Sequence, residues 1–300
     1  MMSPLSLNYS MQDKLPRYLN PYTDFGFKKL FGTEANKDLL IDFLNQVLPE
    51  KHQIRELHFR NSETLSDLPF LRKAIFDIYC KGVNGEDFIV EMQKEKLEYF
   101  KDRSLFAVTF PIQEQARKGV WNFKLNHIYL VAILDFLYDE KEEQKKFQRY
   151  VQLKDQDGEV FFEKLHFKFL QMPLFTKTEK ELETRFDKWC YFLKNLESFE
   201  SIPSILKEPI FEKAFHTAEI SAMSQSEYDV YKESLLAYWE SKGALETAKL
   251  EGRIEGRIEG EQKKALEIAK NAIQLGLSNE EISKLTGLSV DEVSKLRSGK

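Results

Sequence analysis

The chain has 300 residues, 42% hydrophobic and 31% charged, with only 13 Gly and 9 Pro, which excludes bulk disorder, collagen and low-complexity polymers and leaves room for about two globular domains. Its 44 Lys and Arg against 49 Asp and Glu give a net charge of -5, so overall electrostatics does not mark a nucleic-acid binder, and such a role needs a local basic surface. Cys80 and Cys190 lie far apart in apolar stretches, the usage of a reducing compartment, and the longest apolar run, IYLVAILDFLY, is too short to span a bilayer. A cytoplasmic protein without a membrane partner is expected.

In chain order, residues 18–48 carry a helical pattern. Phe27, Leu30 and Phe31 form one apolar stripe and Leu39, Leu40, Phe43, Leu44 and Val47 the next, with Gly32 between them. Residues 54–59, 70–80 and 88–93 alternate apolar with polar and read as strands, the last two joined by the turn residues VNGED. Helical spacing returns over 97–118, and the β-branched run within 125–139 predicts a strand covered on both faces. A hairpin over 147–171 turns at Asp157-Gly158. Amphipathic helices follow at 179–196, 205–216 and 226–239, punctuated by Pro203 and Pro209.

The tail changes character. LEGRIEGRIEG puts Gly252, Gly256 and Gly260 four residues apart, on one side of a helix that a partner could approach closely, or else in a flexible charged linker. Beyond it, Ser278 with Glu281 and Ser289 with Glu292 form two capping boxes around Gly287. Ile282, Leu285, Leu288, Val293 and Leu296 would pack these short helices in the outline of a helix-turn-helix. The second helix starts Val290-Asp291-Glu292, however, and two carboxylates at the end that meets bases repel phosphate. Assembly of a homo-oligomer through these helices is therefore expected ahead of base reading.

The segment RKAIFDIYCKGVNGEDFIVEMQKEK carries the chemistry. A three-residue loop, Val83-Asn84-Gly85, sets a register in which Asp77 faces Glu91, Ile75 faces Gln93 and Lys73 faces Glu95. Phe76, Ile78, Cys80, Phe88, Val90 and Met92 then form the opposite, wholly apolar face, whereas a two-residue Asn84-Gly85 loop would scatter the carboxylates to opposite sides. Opposed carboxylates stand about 5 Å apart at Cβ and repel, so a divalent metal such as Mg²⁺ is a natural partner. Gln93, on the same face, can orient water or a phosphate oxygen. The competing expectation is a solvent-facing sheet side with partly matched charges. His52, His58, His127, His166 and His216 show no metal-ligand spacing, and a zinc site is not expected.

The helix bearing YTDFGFKKLFG, the strand RKAIFDIYC, the E-x-Q of VEMQ, the helix EYFKDRSLFAVTFPIQEQARKG and the strand HIYLVAILDF together resemble the PD-(D/E)XK nuclease family transposases, the Rpn recombination-promoting nucleases. The resemblance covers residues 18–175, and the tail is similar to the C-termini of these proteins. It implies a restriction-endonuclease-like αβββαβ core, a mixed sheet flanked by helices, followed by a helical C-terminal region. It also implies DNA cleavage with Mg²⁺. Asp77 and Glu91 would be metal ligands, with Gln93 where the wider superfamily usually has Lys. Asp24 is a further candidate ligand, or only a first-turn acid stabilising its helix. Tyr99, Lys101 and Arg103 are candidates for holding substrate phosphate.

The organisation expected is a nuclease-like domain over 1–175, a helical extension over 176–241, a Gly-repeat helix or linker over 242–262 and a helix-turn-helix-like tail over 263–300. The function expected is a Mg²⁺-dependent endonuclease of low sequence specificity linked to DNA recombination or mobile elements. The alternative is a catalytically inactive, oligomeric binding protein that keeps the nuclease fold, for instance in a defence system.

Overall fold

The structure is a computed structural model and describes residues 16–60, 76–96, 98–116, 122–138 and 146–298. Helix α1 (Asp24–Phe31) starts where the Thr23 hydroxyl accepts the Gly26 N–H at 3.0 Å. Gly26 is required there, because a Cβ would collide with the Asn20 carbonyl oxygen and stand 2.7 Å from Thr23 Oγ1. After Gly32 comes α2 (Lys37–Val47), and the expected stripes of both helices are buried. A 3-10 turn at Glu50–His52 leads into the sheet.

Six strands follow: β1 (Leu57–Phe59), β2 (Ile78–Gly82), β3 (Asp87–Gln93), β4 (Ile128–Leu134), β5 (Gln148–Lys154) and β6 (Val160–Gln171). They lie in the order β1-β2-β3-β4-β6-β5. β4 runs parallel to both β3 and β6, and all seven of its residues are buried, as a strand covered on both faces must be. The connection from β3 to β4 carries α3 (Phe100–Gln115). This is the expected mixed sheet with flanking helices, extended by the β5–β6 hairpin.

Two apolar layers sandwich the sheet. One joins the inner faces of α1 and α2 to α4 (Arg185–Asn195) and α5 (Pro209–Ala218), so the segment expected as an extension beyond residue 175 shares the core of the residues before it. At its centre Trp189 packs on Phe31, Phe43, Phe192 and Phe211 with ring centroids 4.8 to 6.0 Å away, and its indole N–H donates to Asp42 Oδ1 at 2.7 Å. Burial of each such ring contributes about 2–3 kcal/mol. The other layer lies under α3 and includes Tyr79, Ile89, Phe100, Val108 and Phe110. The expectation of a solvent-facing sheet side therefore fails: α3 covers it with apolar residues.

The hairpin register holds, with Ile78 opposite Val90 and Lys81 opposite Asp87, and Gly85 at φ 89° closes the loop. One face assignment needs correction. Phe76 packs against Tyr79 and Phe110 in the α3 layer, away from Ile78 and Cys80. The chain bends at Asp77, and strand alternation does not carry through a bend. Ile75 and Lys73, expected opposite Gln93 and Glu95, lie outside the described residues.

The chain divides into two compact units after Tyr238. Helix α6 (Gln225–Gln274) begins in the first, where Tyr231 and Tyr238 join its core. LEGRIEGRIEG is helical throughout, and a Cβ at Gly252, Gly256 or Gly260 would meet nothing within 4 Å. In the second unit α7 (Asn279–Thr286) and α8 (Val290–Ser298) follow, both capping boxes form, and Ala269, Ala272, Ile282 and Val293 make a small core. Among the described residues no helix is long and apolar enough to cross a membrane.

Candidate active site

Asp77 sits at the bend before β2, opposite Glu91 by extension of the register. There the strands part, and Asp77 Oδ2 accepts the Met92 N–H at 2.7 Å in place of a main-chain acceptor. Glu91 is 6% exposed, and its Oε2 accepts the Gln93 side-chain amide at 2.8 Å. Each carboxylate thus commits one oxygen to a hydrogen bond and, among the described residues, leaves Asp77 Oδ1 and Glu91 Oε1 without one.

The electrostatics follows from this placement. Burial first, and the Asp77 charge second, push Glu91 up to about 7, while Arg103 on α3 and the Gln93 amide pull the other way. Burial likewise raises Asp77; the Met92 N–H and the charges of Lys28 and Arg103 oppose it, and Asp24 adds to it. A half-buried carboxylate opposite a buried one fits a hard divalent cation, which takes one or two carboxylates and completes its shell with water and phosphate oxygens.

Asp77 lines a cavity of about 500 Å³ with Asp24, Lys28, Arg60, Tyr79 and Glu227. Asp24 is exposed at the start of α1 and pairs with Lys28 at 2.9 Å. It is an acid of the first turn, and it shares the cavity and the electrostatic field of Asp77. Of the three phosphate candidates, Arg103 acts on both carboxylates, whereas Lys101 stands 5.4 Å over the Tyr138 ring and Tyr99 is 66% exposed. Lys94 faces the opposite layer, 5.8 Å from the Tyr238 ring, and does not replace the missing lysine.

Sequence reasoning passed over Arg60, which lies in a connection and reaches the cavity through the fold. It also passed over Asp87, fully buried on β3 and on the same face as Glu91. Gln115 donates to Asp87 at 2.8 Å, the Tyr79 hydroxyl lies between Asp87 at 3.0 Å and Glu114 at 2.6 Å, and Lys81 lies 3.5 Å from Asp87. A third omission concerns histidine. Although no ligand spacing is present in the sequence and a zinc site is not expected from it, His52, His127 and His166 converge from separate elements.

Residues 21–248 match the family model described as PD-(D/E)XK nuclease family transposase. Residues 262–298 match the model described as Rpn/YhgA-like nuclease family, C-terminal HTH domain. Searches of curated proteins and of solved structures return no match.

Proposed function

The chain belongs to the PD-(D/E)XK nuclease family transposases, and from that premise we propose that it is a Mg²⁺-dependent endodeoxyribonuclease of low sequence specificity, acting in DNA recombination or on mobile elements. The observation that carries the reading is half-buried Asp77 opposite buried Glu91, where burial first and the Asp77 charge second push Glu91 up to about 7. Asp77 and Glu91 would hold Mg²⁺, with Asp24 on the cavity wall as a further carboxylate. When bound, the ion supplies Lewis-acid polarisation of the scissile phosphate and lowers the pKa of a water.

The protein's own groups do the rest. Gln93 fixes the Glu91 rotamer through its amide and orients water near the reacting phosphate, without the positive charge a lysine would add. Arg103 offers its guanidinium to the phosphate beside the two acids, while Lys28 and Arg60, paired with Asp24 and Glu114, line the cavity. Nicking of a supercoiled plasmid tests this. Cleavage should require Mg²⁺, stop with EDTA, and fall by at least about 100-fold in Asp77→Ala and Glu91→Ala. Wild-type rates in both variants would refute the assignment. The rival reading, an inactive binding protein, rests on the uncharged Gln93, and Mg²⁺-independent DNA binding without nicking would favour it.

The C-terminal HTH domain brings DNA as partner to the second unit. Glu292 at the leading end of α8 is engaged with its own cap, Ser289, and the Asp291 charge remains beside it. We assign this unit to assembly of copies as well, because Leu250, Ile254 and Ile258 on α6 are exposed at four-residue spacing. The full chain should sediment as an oligomer that Ile254→Lys with Ile258→Lys shifts to monomer; a monomeric wild type would remove the assembly role.

A further inference from the structure

A polar cluster separate from the acidic pair lies on the other side of the sheet. His127 immediately precedes β4, His166 on β6 stands in register with Tyr129, and His52 ends the 3-10 turn that follows α2. Glu91 pairs with Ala132, five positions beyond His127 along β4 or roughly 16 Å, and Ala132 belongs to the α3 layer while Tyr129 belongs to the opposite one. The two sites therefore share neither residues nor face.

One ring nitrogen from each histidine lies within 4.8 Å of the others. His127 Nδ1 and His166 Nε2 are 3.0 Å apart, close to the roughly 3.3 Å that two nitrogens span in a tetrahedral site with Zn–N bonds of about 2.0–2.1 Å. The supporting shell is built as well. His166 is 3% exposed, its ring stacks on Tyr129 with centroids 4.3 Å apart, and its Nδ1 meets the Tyr150 hydroxyl at 2.6 Å. His52 Nδ1 meets the Tyr129 hydroxyl. Partners on the second ring nitrogen fix the tautomer and orientation of a metal-binding imidazole.

We propose that His52, His127 and His166 form a Zn²⁺ site that ties the turn after α2 to β4 and β6. Three imidazoles with no thiolate or carboxylate select a borderline transition metal over Mg²⁺ or Ca²⁺. Proton balance is met within the cluster. The one proton shared between His127 Nδ1 and His166 Nε2 moves to the other nitrogen of the ring that carried it; on His166 that is Nδ1, which then donates to the Tyr150 oxygen. His52 also lines an open cleft with Glu86, which provides an entry path and a carboxylate acting on His52 and His127, against the opposing charges of Lys51 and Lys164.

Full-length protein stripped with a chelator and returned to Zn²⁺ should bind one equivalent by elemental analysis and melt at a higher temperature. Co²⁺ in its place should give the visible absorption of a tetrahedral nitrogen site. His52→Gln and His127→Gln, both at half-buried positions, should each weaken Zn²⁺ by more than the roughly 10–100-fold that loss of a supporting hydrogen bond costs. Asp77→Ala with Glu91→Ala should leave Zn²⁺ binding unchanged, which separates this site from the proposed nuclease centre. Absence of stoichiometric Zn²⁺ in the wild type, undiminished binding in both histidine variants, or loss of binding in the acid double variant would each overturn the proposal.

Discussion

Glu91 and Asp87 are both carboxylates, both buried on β3, and both on the same face of the sheet four residues apart. Their surroundings differ. Asp87 receives the Gln115 amide, shares the Tyr79 hydroxyl with Glu114 and lies near Lys81; Lys81, Gln115 and Tyr79 oppose the rise that burial imposes on it, Glu114 adds to it, and Asp87 stays raised. Glu91 receives the Gln93 amide, faces a second carboxylate, and rises to about 7. Burial by itself does not mark a functional acid; what separates the two is whether the fold supplies enough donors to balance the charge. Asp87 finds several donors within the protein, whereas on the proposed function Glu91 would complete its shell with a bound cation.

The largest effect that can break this comparison is on cleavage. In the plasmid assay Glu91→Gln should lose activity as Glu91→Ala does, because an amide keeps the shape and the Gln93 contact but not the charge. Asp87→Asn should retain Mg²⁺-dependent nicking within a few-fold, provided the protein is folded. Equal loss in both would mean that the β3 face acts as one catalytic unit and that the distinction is wrong.

Much of the comparison could be read in the sequence. The Val83-Asn84-Gly85 loop fixed the pairing of β2 with β3, and period-2 alternation then placed Asp77 against Glu91, because one face of that hairpin is uniformly apolar. What stayed hidden depends on long-range placement. The bend at Asp77 that turns Phe76 to the other layer leaves no mark in an alternating pattern. The donors that complete Asp87 come partly from α3, 28 residues away, and Arg60 reaches the cavity from a connection. The histidines are 39 and 77 positions from the groups they meet, so spacing rules that assume ligands on one helix or loop do not detect them. In the tail, capping boxes span three residues and were legible, whereas the glycine repeat suited helix and linker equally until the helix on either side of it was seen to be continuous.

A smaller effect sharpens the chemistry on the Glu91 side. Gln93 supplies a hydrogen bond without charge, so Gln93→Lys should keep or raise the cleavage rate by placing a cation beside developing hydroxide. Gln93→Leu should lower it by about 100-fold, the scale on which one positioned donor contributes. Equal rates in all three proteins would leave Gln93 as a residue that orients nothing but Glu91.

The smallest effect, and the most direct on the physics, is stability without metal. Glu91 has its folded pKa raised from 4.5 to about 7, so its neutral form is the one the fold prefers, and the contribution present below about pH 4.5 is lost as pH rises to 7. At 1.36 kcal/mol per unit this is at most about 3 kcal/mol. In EDTA, wild type should therefore melt lower at pH 8 than at pH 5, and Glu91→Gln should flatten part of that slope and melt higher than wild type at pH 8. Asp77 and Asp87 are raised as well and titrate in the same direction, so some slope persists. Asp87→Asn should act oppositely at both pH values. It sets an amide N–H among the donors from Tyr79, Gln115 and Lys81, at a cost of about 1–3 kcal/mol. Mg²⁺ should raise the wild-type melting temperature at pH 8 by binding the ionised pair, and leave Glu91→Gln where it was. Thermal melts of the three proteins with and without Mg²⁺ check every sign. A wild type insensitive to both pH and Mg²⁺ would show that the Asp77–Glu91 pair carries no unbalanced charge, and the contrast with Asp87 would fall with it.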